Sequence, residues 1–328
     1  MTAAAFGPDV LTLDLEYEFE RIRLSITSYL ASVRRHGLVV ALSGGIDSSL
    51  VAALAVRALG PERVFGLHMP ERESSNETLA ISQSVSDTFG IDSVVEDITA
   101  PLEAFGAYRR RDDAIRLVCP EYGPGFRSKI VLPSVVDSHQ LRLYSVVVVD
   151  PSGLETSYRL SQNAYLGIVA ATNFKQRVRK AFEYYHADRL NYATSGTPNR
   201  LEYDQGFFVK LGDGAADIKP IAHLYKSQVY ALAKHLGVPK AVIARPSTTD
   251  TYSLPQSQEE FYFSLPHDKM DLVLYGKNND VPVSDVAAAV GLTSEQVRRV
   301  YGDIDQKRRS TRYMHLPPEL AAPVQEIV

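Results

Sequence analysis

An apolar run, Leu38-Val39-Val40-Ala41-Leu42, stops abruptly at Ser43-Gly44-Gly45-Ile46-Asp47-Ser48-Ser49, and helical spacing then takes over at Leu50, Val51, Leu54, Val56 and Leu59. No other stretch limits the fold as much. A short continuous apolar run predicts a strand buried on both faces. The glycines let the chain turn tightly, and Gly60 supplies the stop for the helix that follows. That helix points unpaired N–H groups and the positive end of its dipole into the turn. Ser43, Ser48 and Ser49 add hydroxyl donors, so the turn is built for an anion, with pyrophosphate the best fit. A Walker loop would end in Gly-Lys-Ser/Thr, and a dinucleotide fingerprint needs Gly-x-Gly-x-x-Gly; neither is present. Asp47 would repel phosphate unless a cation lay between them. It therefore points to magnesium, which takes one or two carboxylates together with phosphate oxygens.

The alternation continues on both sides of this turn. Leu15, Phe19, Ile22, Ile26, Tyr29, Leu30 and Val33 predict an amphipathic helix over about 13–35. A second strand is expected at Val64–Met69, a helix at about Glu77–Phe89 and a third strand at Ser93–Ile98. Further on, Ala164–Ala187 reads as a long helix, Leu190–Ser195 as a strand and Leu224–Leu236 as a helix. Strands alternating with helices predict an α/β fold, a three-layer α/β/α parallel sheet of Rossmann-like type. Residues about 100–160 break the pattern. Lys129–Pro133, Leu141–Asp150 and Leu154–Leu160, with a turn at Pro151-Ser152-Gly153, predict a β-rich insertion. From about Ser284 the chain reads as helical, which divides it into a main domain over 1–270 and a helical C-terminal extension over 271–328.

Composition narrows the class of partner. A net charge of −4 leaves no electrostatic footprint for nucleic acid, and the basic run Arg109–Arg111, followed by Asp112 and Asp113, reads as a solvated face. The one cysteine, Cys119, excludes an internal disulfide, fits a reducing compartment and reads as a bystander thiol. The acidic N-terminal segment is unlike a signal peptide. No apolar run approaches the roughly 18 residues that span a bilayer. A cytoplasmic protein with no membrane attachment is expected.

Ser-Gly-Gly-Ile-Asp-Ser-Ser resembles the signature of the ATP pyrophosphatases (adenine nucleotide alpha hydrolase-like), which cleave ATP to AMP and pyrophosphate while adenylating a carboxyl or carbonyl group. Later motifs resemble the ammonia-dependent NAD synthetase family within that superfamily. These are Ser195-Gly196-Thr197-Pro198-Asn199-Arg200-Leu201-Glu202, the block from Gly206 to Asp217, Leu224–Val229 and Pro246-Ser247, in the family's order. The likeness covers about 15–100 and 165–260. It implies that Ser43, Gly44, Gly45, Asp47, Ser48, Ser49, Thr197, Lys226 and Ser247 bind ATP, with Asp47 and Lys226 catalytic. It implies Asp47 and Glu202 as ligands of Mg2+. Asn173 and Arg177, with Lys210, Asp217 and Tyr29, match contacts to deamido-NAD. Asp213 reads instead as a turn residue, and His68 as a core or edge contact.

The implied reaction adenylates the carboxylate of deamido-NAD with ATP as co-substrate, then transfers ammonia to give NAD, AMP and pyrophosphate. The segment before residue 38 is too short for a nitrilase-like glutaminase domain, so free ammonia or a separate glutaminase is the expected source. Family resemblance implies a homodimer, for which the stripe from Leu15 to Val33 could supply a surface or could cover the chain's own sheet. The long insertion, the atypical 248–266 segment and the end at Ser310–His315 leave a different carboxylic acid open as acceptor. A sulfur-transfer enzyme using Cys119 and a non-catalytic nucleotide sensor are further alternatives. As a loop residue, Asp47 is expected to tolerate asparagine with loss of adenylation but not of fold.

Overall fold

The computed structural model describes residues 6–133, 136, 143–246 and 252–325. In chain order the elements are α1 (Leu15–Val33), β1 (Leu38–Ala41), α2 (Ile46–Leu59), β2 (Val64–His68), α3 (Asn76–Phe89), β3 (Asp92–Val95), α4 (Thr99–Ala104) and α5 (Ala107–Arg116). There follow β4 (Arg127–Val131), β5 (Ser145–Val149), β6 (Glu155–Arg159), α6 (Gln162–Leu190), β7 (Ala193–Ser195), α7 (Arg200–Gln205), α8 (Lys226–His235) and α9 (Lys240–Ala244). The last helices are α10 (His267–Asn278), α11 (Val283–Val290) and α12 (Ser294–Thr311).

Four strands pair in parallel in the order β3-β2-β1-β7, with Leu38 opposite both Val64 and Ala193. Successive side chains of a strand point to opposite faces, and β1 feeds two cores accordingly. Leu38 and Val40 join the layer of α1, α2 and α8, whereas Val39 packs with Leu102, Tyr108 and Val178 from α4, α5 and α6. These are the three layers expected. Ile22, Ile26 and Leu30 of α1 are buried in the first core, so this stripe covers the chain's own interior. Asp14 caps α1 by accepting the Tyr17 N–H at 3.0 Å, and Arg34 ends it in the left-handed region.

The insertion departs from its expected reading in its first part. Residues 99–116 are two helices, because Ala107, Tyr108, Arg111, Ala114 and Ile115 recur at helical spacing and are buried together. Arg111 is consequently not on a solvated face. It is buried against Glu73 at 2.7 Å and Asp112 at 2.9 Å, while Arg109 and Arg110 stay exposed. The β-rich part is a three-stranded antiparallel sheet in the order β4-β5-β6. The Asp150 carboxylate accepts the Ser152 and Leu154 N–H groups and shapes the turn between β5 and β6. Of the strand expected at Leu141–Asp150, residues 141–142 lie outside the described residues.

Two boundaries move for physical reasons. The third strand ends at Val95 because the chain turns into α4, with Ile98 at its N-terminus. The strand expected from Leu190 begins at Ala193, since α6 runs on to Leu190 and Asn191 closes it in the left-handed conformation. The C-terminal helices α10, α11 and α12 bury Met270, Val273, Val286, Val297 and Ile304 in a core shared with Leu201, Phe207 and Phe263. α10 extends across position 270.

Candidate active site

β1 delivers the glycine turn to the carboxyl edge of the parallel sheet, where open α/β sheets bind ligands. Gly44 has φ +73°, which favours glycine, and a Cβ there would stand a tight 3.1 Å from the Thr78 carbonyl oxygen. The hydroxyls are partly spent on the turn itself. Ser49 Oγ donates to the Gly45 carbonyl at 2.8 Å, and Ser48 Oγ lies 3.2 Å from Ser43 Oγ. Ser43, Gly45, Asp47 and Ser48 line a cleft of about 690 Å³; Gly44 and the fully buried Ser49 do not reach its wall.

Asp47 sits in the first turn of α2 and is gripped from the start of two other helices. Asn199 Nδ2 donates to its Oδ1 at 3.0 Å, and the Lys226 ammonium pairs with Oδ2. Lys226 is 2 % exposed and lies behind Asp47, off the cleft wall. Burial works against its charge, but Asp47 and Glu202 outweigh burial and raise its pKa. Glu202 lines the cleft and also serves local structure. It is the third residue of α7 and closes a capping box with Asn199, accepting that residue's N–H at 3.1 Å. Its other oxygen accepts Gln258 Nε2 at 2.9 Å. Burial, then the neighbouring Asp47 charge, pushes the Glu202 carboxyl up to about 8.

The cleft continues along α6, past Tyr165, Asn173, Lys180 and Glu183, a run of roughly 27 Å at 1.5 Å per residue. Thr197, between β7 and α7, also lines it. Other expected substrate residues stand off the cleft wall. Arg177 Nε reaches the Lys210 carbonyl at 3.4 Å, and Lys210 Nζ donates to the Tyr313 carbonyl at 3.0 Å. Asp217 accepts the Thr194 N–H at 2.6 Å; burial, then the Asp217 charge, raises the pKa of the Tyr29 hydroxyl. Ser247 lies outside the described residues. Asp213 keeps to its turn and accepts the Val209 N–H at 2.7 Å. His68 is buried between Ser82 and Ser86, at 2.9 and 3.0 Å. Cys119 is buried in the insertion core, and burial pushes its thiol up, which disfavours the reactive thiolate.

A model of the NAD synthase family matches residues 18–121 and 136–314 of the chain. The chain belongs to the NAD synthase family. Among its relatives, the NH3-dependent NAD+ synthetase of Rhizobium meliloti (strain 1021) is 58% identical over 98% of this chain and 96% of its own length. The solved NMN synthetase of Francisella tularensis superposes with a TM-score of 0.66 at 20% identity, covering 94% of this chain and 99% of that one. The NH3-dependent NAD synthetase of Campylobacter jejuni gives a TM-score of 0.62 at 22% identity, covering 95% and 100%. At such identities these structures speak for the fold alone.

For this NAD synthase family member, Asp47 and Glu202 suit a divalent cation. A carboxylate has lone pairs to spare beyond two hydrogen bonds, and a cation between the two acids would relieve the repulsion that raises Glu202. Among the described residues no group of three or more His, Cys, Asp or Glu is arranged to hold a metal. A metal here would take further ligands from outside the chain.

Sequence reasoning missed the second layer of this family site. Asn199 stands inside the stretch Ser195–Glu202 and signals itself only as a helix cap. Lys175, on α6, pairs with Glu71 and Glu73 at 2.8 Å each and lines the cleft. The Lys180–Glu183 pair, 2.6 Å apart, lies further along the same helix. Gln258 comes from the 248–266 segment, which also binds the insertion: Leu254 N–H donates to the Ser128 carbonyl at 3.2 Å and Gln256 Nε2 to the Ile130 carbonyl at 2.7 Å. Spacing along the chain carries no signal for partners so far apart.

Proposed function

We propose that this chain is an ammonia-dependent, AMP-forming NAD synthetase: with ATP it adenylates the carboxylate of deamido-NAD, and ammonia displaces AMP to give the amide. The observation that carries this reading is the 58% identity over 98% of the chain to a relative named for that activity. A carboxylate oxygen attacks the α-phosphorus and pyrophosphate leaves. Ammonia then adds to the acyl carbon, a proton is lost, and AMP departs. The chain's part is positioning and charge neutralisation. Backbone N–H groups of the turn, Ser43, Ser48 and Thr197 hold phosphate oxygens. Lys226 and Asn199 hold the Asp47 carboxylate in one orientation. Asp47 and Glu202 would hold magnesium, which when bound neutralises phosphate charge. Asn173 on the cleft wall supports a role in placing the acyl substrate.

Tyr29, Arg177, Lys210 and Asp217 belong to the same reading as contacts to the outer part of the dinucleotide, beside a second copy of the chain. Ammonia arrives free or from a separate glutaminase, and the site of action is the cytoplasm. Buried Cys119 counts against the sulfur-transfer alternative. The test is AMP and pyrophosphate release by the purified chain with magnesium, ammonium and deamido-NAD. NAD should form in step with AMP, and glutamine should not replace ammonium. AMP release without NAD, or release only with another carboxylic acid, would overturn the assignment of the acceptor.

A further inference from the structure

Three cations near the glycine turn are already matched by carboxylates: Lys226 by Asp47, Lys175 by Glu71 and Glu73, and Lys180 by Glu183. Arg245 differs. It closes α9, lines the cleft and has no carboxylate partner among the described residues. Its Nη2 donates to Thr78 Oγ1, in the first turn of α3, at 2.7 Å. Its Nη1 lies 3.4 Å from the point where a Cβ on Gly44 would stand. The guanidinium is therefore held between the start of α3 and the turn that a phosphate must approach.

We infer that Arg245 binds the phosphates of ATP and supplies the positive charge that the glycine turn, having no lysine of its own, lacks. The inference rests on the ATP-dependent reaction proposed above. A guanidinium offers a planar fork of donors that matches phosphate oxygens, and its charge is permanent. The Thr78 hydroxyl occupies one terminal nitrogen, and the other, Nη1, lies beside Gly44 with no hydrogen-bond partner among the described residues. Lys226 is buried and its ammonium is already paired with Asp47. A residue that merely joined α9 to α3 would affect both substrates alike; a phosphate ligand affects ATP and pyrophosphate selectively.

The experiment compares the full chain with Arg245→Ala and Arg245→Lys. Steady-state kinetics give KM for ATP and for deamido-NAD and the inhibition constant of pyrophosphate, and calorimetry gives ATP binding with no acyl substrate present. Loss of one charge-assisted contact should raise the ATP KM about tenfold or more in Arg245→Ala and weaken pyrophosphate inhibition in parallel. The KM for deamido-NAD should stay near its starting value, and Arg245→Lys, keeping charge but not the fork, should fall between. Thermal unfolding identifies a variant that does not fold; should Arg245→Ala fail, Arg245→Lys and the ATP titration decide. Unchanged ATP and pyrophosphate affinities, or equal losses for both substrates, would overturn the role of Arg245. Absence of NAD formation by the unaltered chain would instead sink the proposed reaction, and ATP titration would still decide the arginine.

Discussion

At Asp47 a single carboxylate accepts from Asn199, pairs with the buried Lys226 and lines the cleft. These contacts weigh against the expectation that asparagine at this position would spare the fold. Asp47→Asn leaves an ammonium buried beside a neutral amide, and breaking a buried pair typically costs about 3–5 kcal/mol. We predict that the variant loses AMP production and also unfolds at lower denaturant. In Asp47→Asn/Lys226→Met, stability should largely return while activity does not. Urea unfolding read beside AMP release separates the two duties; a stable, active Asp47→Asn would contradict both. Glu202 is doubly committed in the same way, to the capping box and to the cleft.

Among the elements, α6 matters most, because it carries one wall of the cleft and is clamped at mid-length. Lys175 bridges Glu71 and Glu73 after β2, and Arg111 of α5 pairs with Glu73 from the other side. Burial pushes the Glu73 carboxyl up, but Lys175 and Arg111 prevail and hold it below its ordinary 4.5. A depressed carboxylate stabilises the fold above its unfolded pKa, and that stabilisation is lost as pH falls through the folded value. Lys175→Met should cost about 3–5 kcal/mol at neutral pH. It should also make the acid loss of stability below about pH 4.5 shallower, since Glu73 would be less depressed. Denaturation midpoints across pH 3 to 7 check both, and an unshifted midpoint at neutral pH would refute the clamp. The helical part of the insertion was legible in principle at Ala107, Arg111, Ala114 and Ile115. Its run of arginines and acids masked the spacing, because a buried arginine looks like a solvated one until its partners are known.

At the scale of the whole molecule, the residues matched to deamido-NAD divide into Asn173 on the cleft wall and four that lie off it. In the proposed dimer, a second copy would complete the outer part and account for the division. Size-exclusion with light scattering should then give twice the 36.3 kDa of one chain. Arg177→Ala should raise KM for deamido-NAD roughly tenfold or more while sparing that for ATP, as expected for a lost charge-assisted contact. A monomeric, fully active chain would remove this arrangement. On α1, Ile22, Ile26 and Leu30 are spent on the chain's own core, whereas Val33 stays exposed.

The sequence by itself determined the strand, glycine turn and helix, the parallel α/β order and the family. Each follows from local requirements of the backbone or from ordered motifs: a buried strand needs an apolar run, and a left-handed turn pressed against α3 needs Gly44. Tertiary structure alone decided which charges meet. Asp47 and Lys226 are 179 positions apart, and Lys175 and Glu71 are 104. Burial makes such pairs obligatory, because a charge taken out of water must find its partner wherever packing brings one.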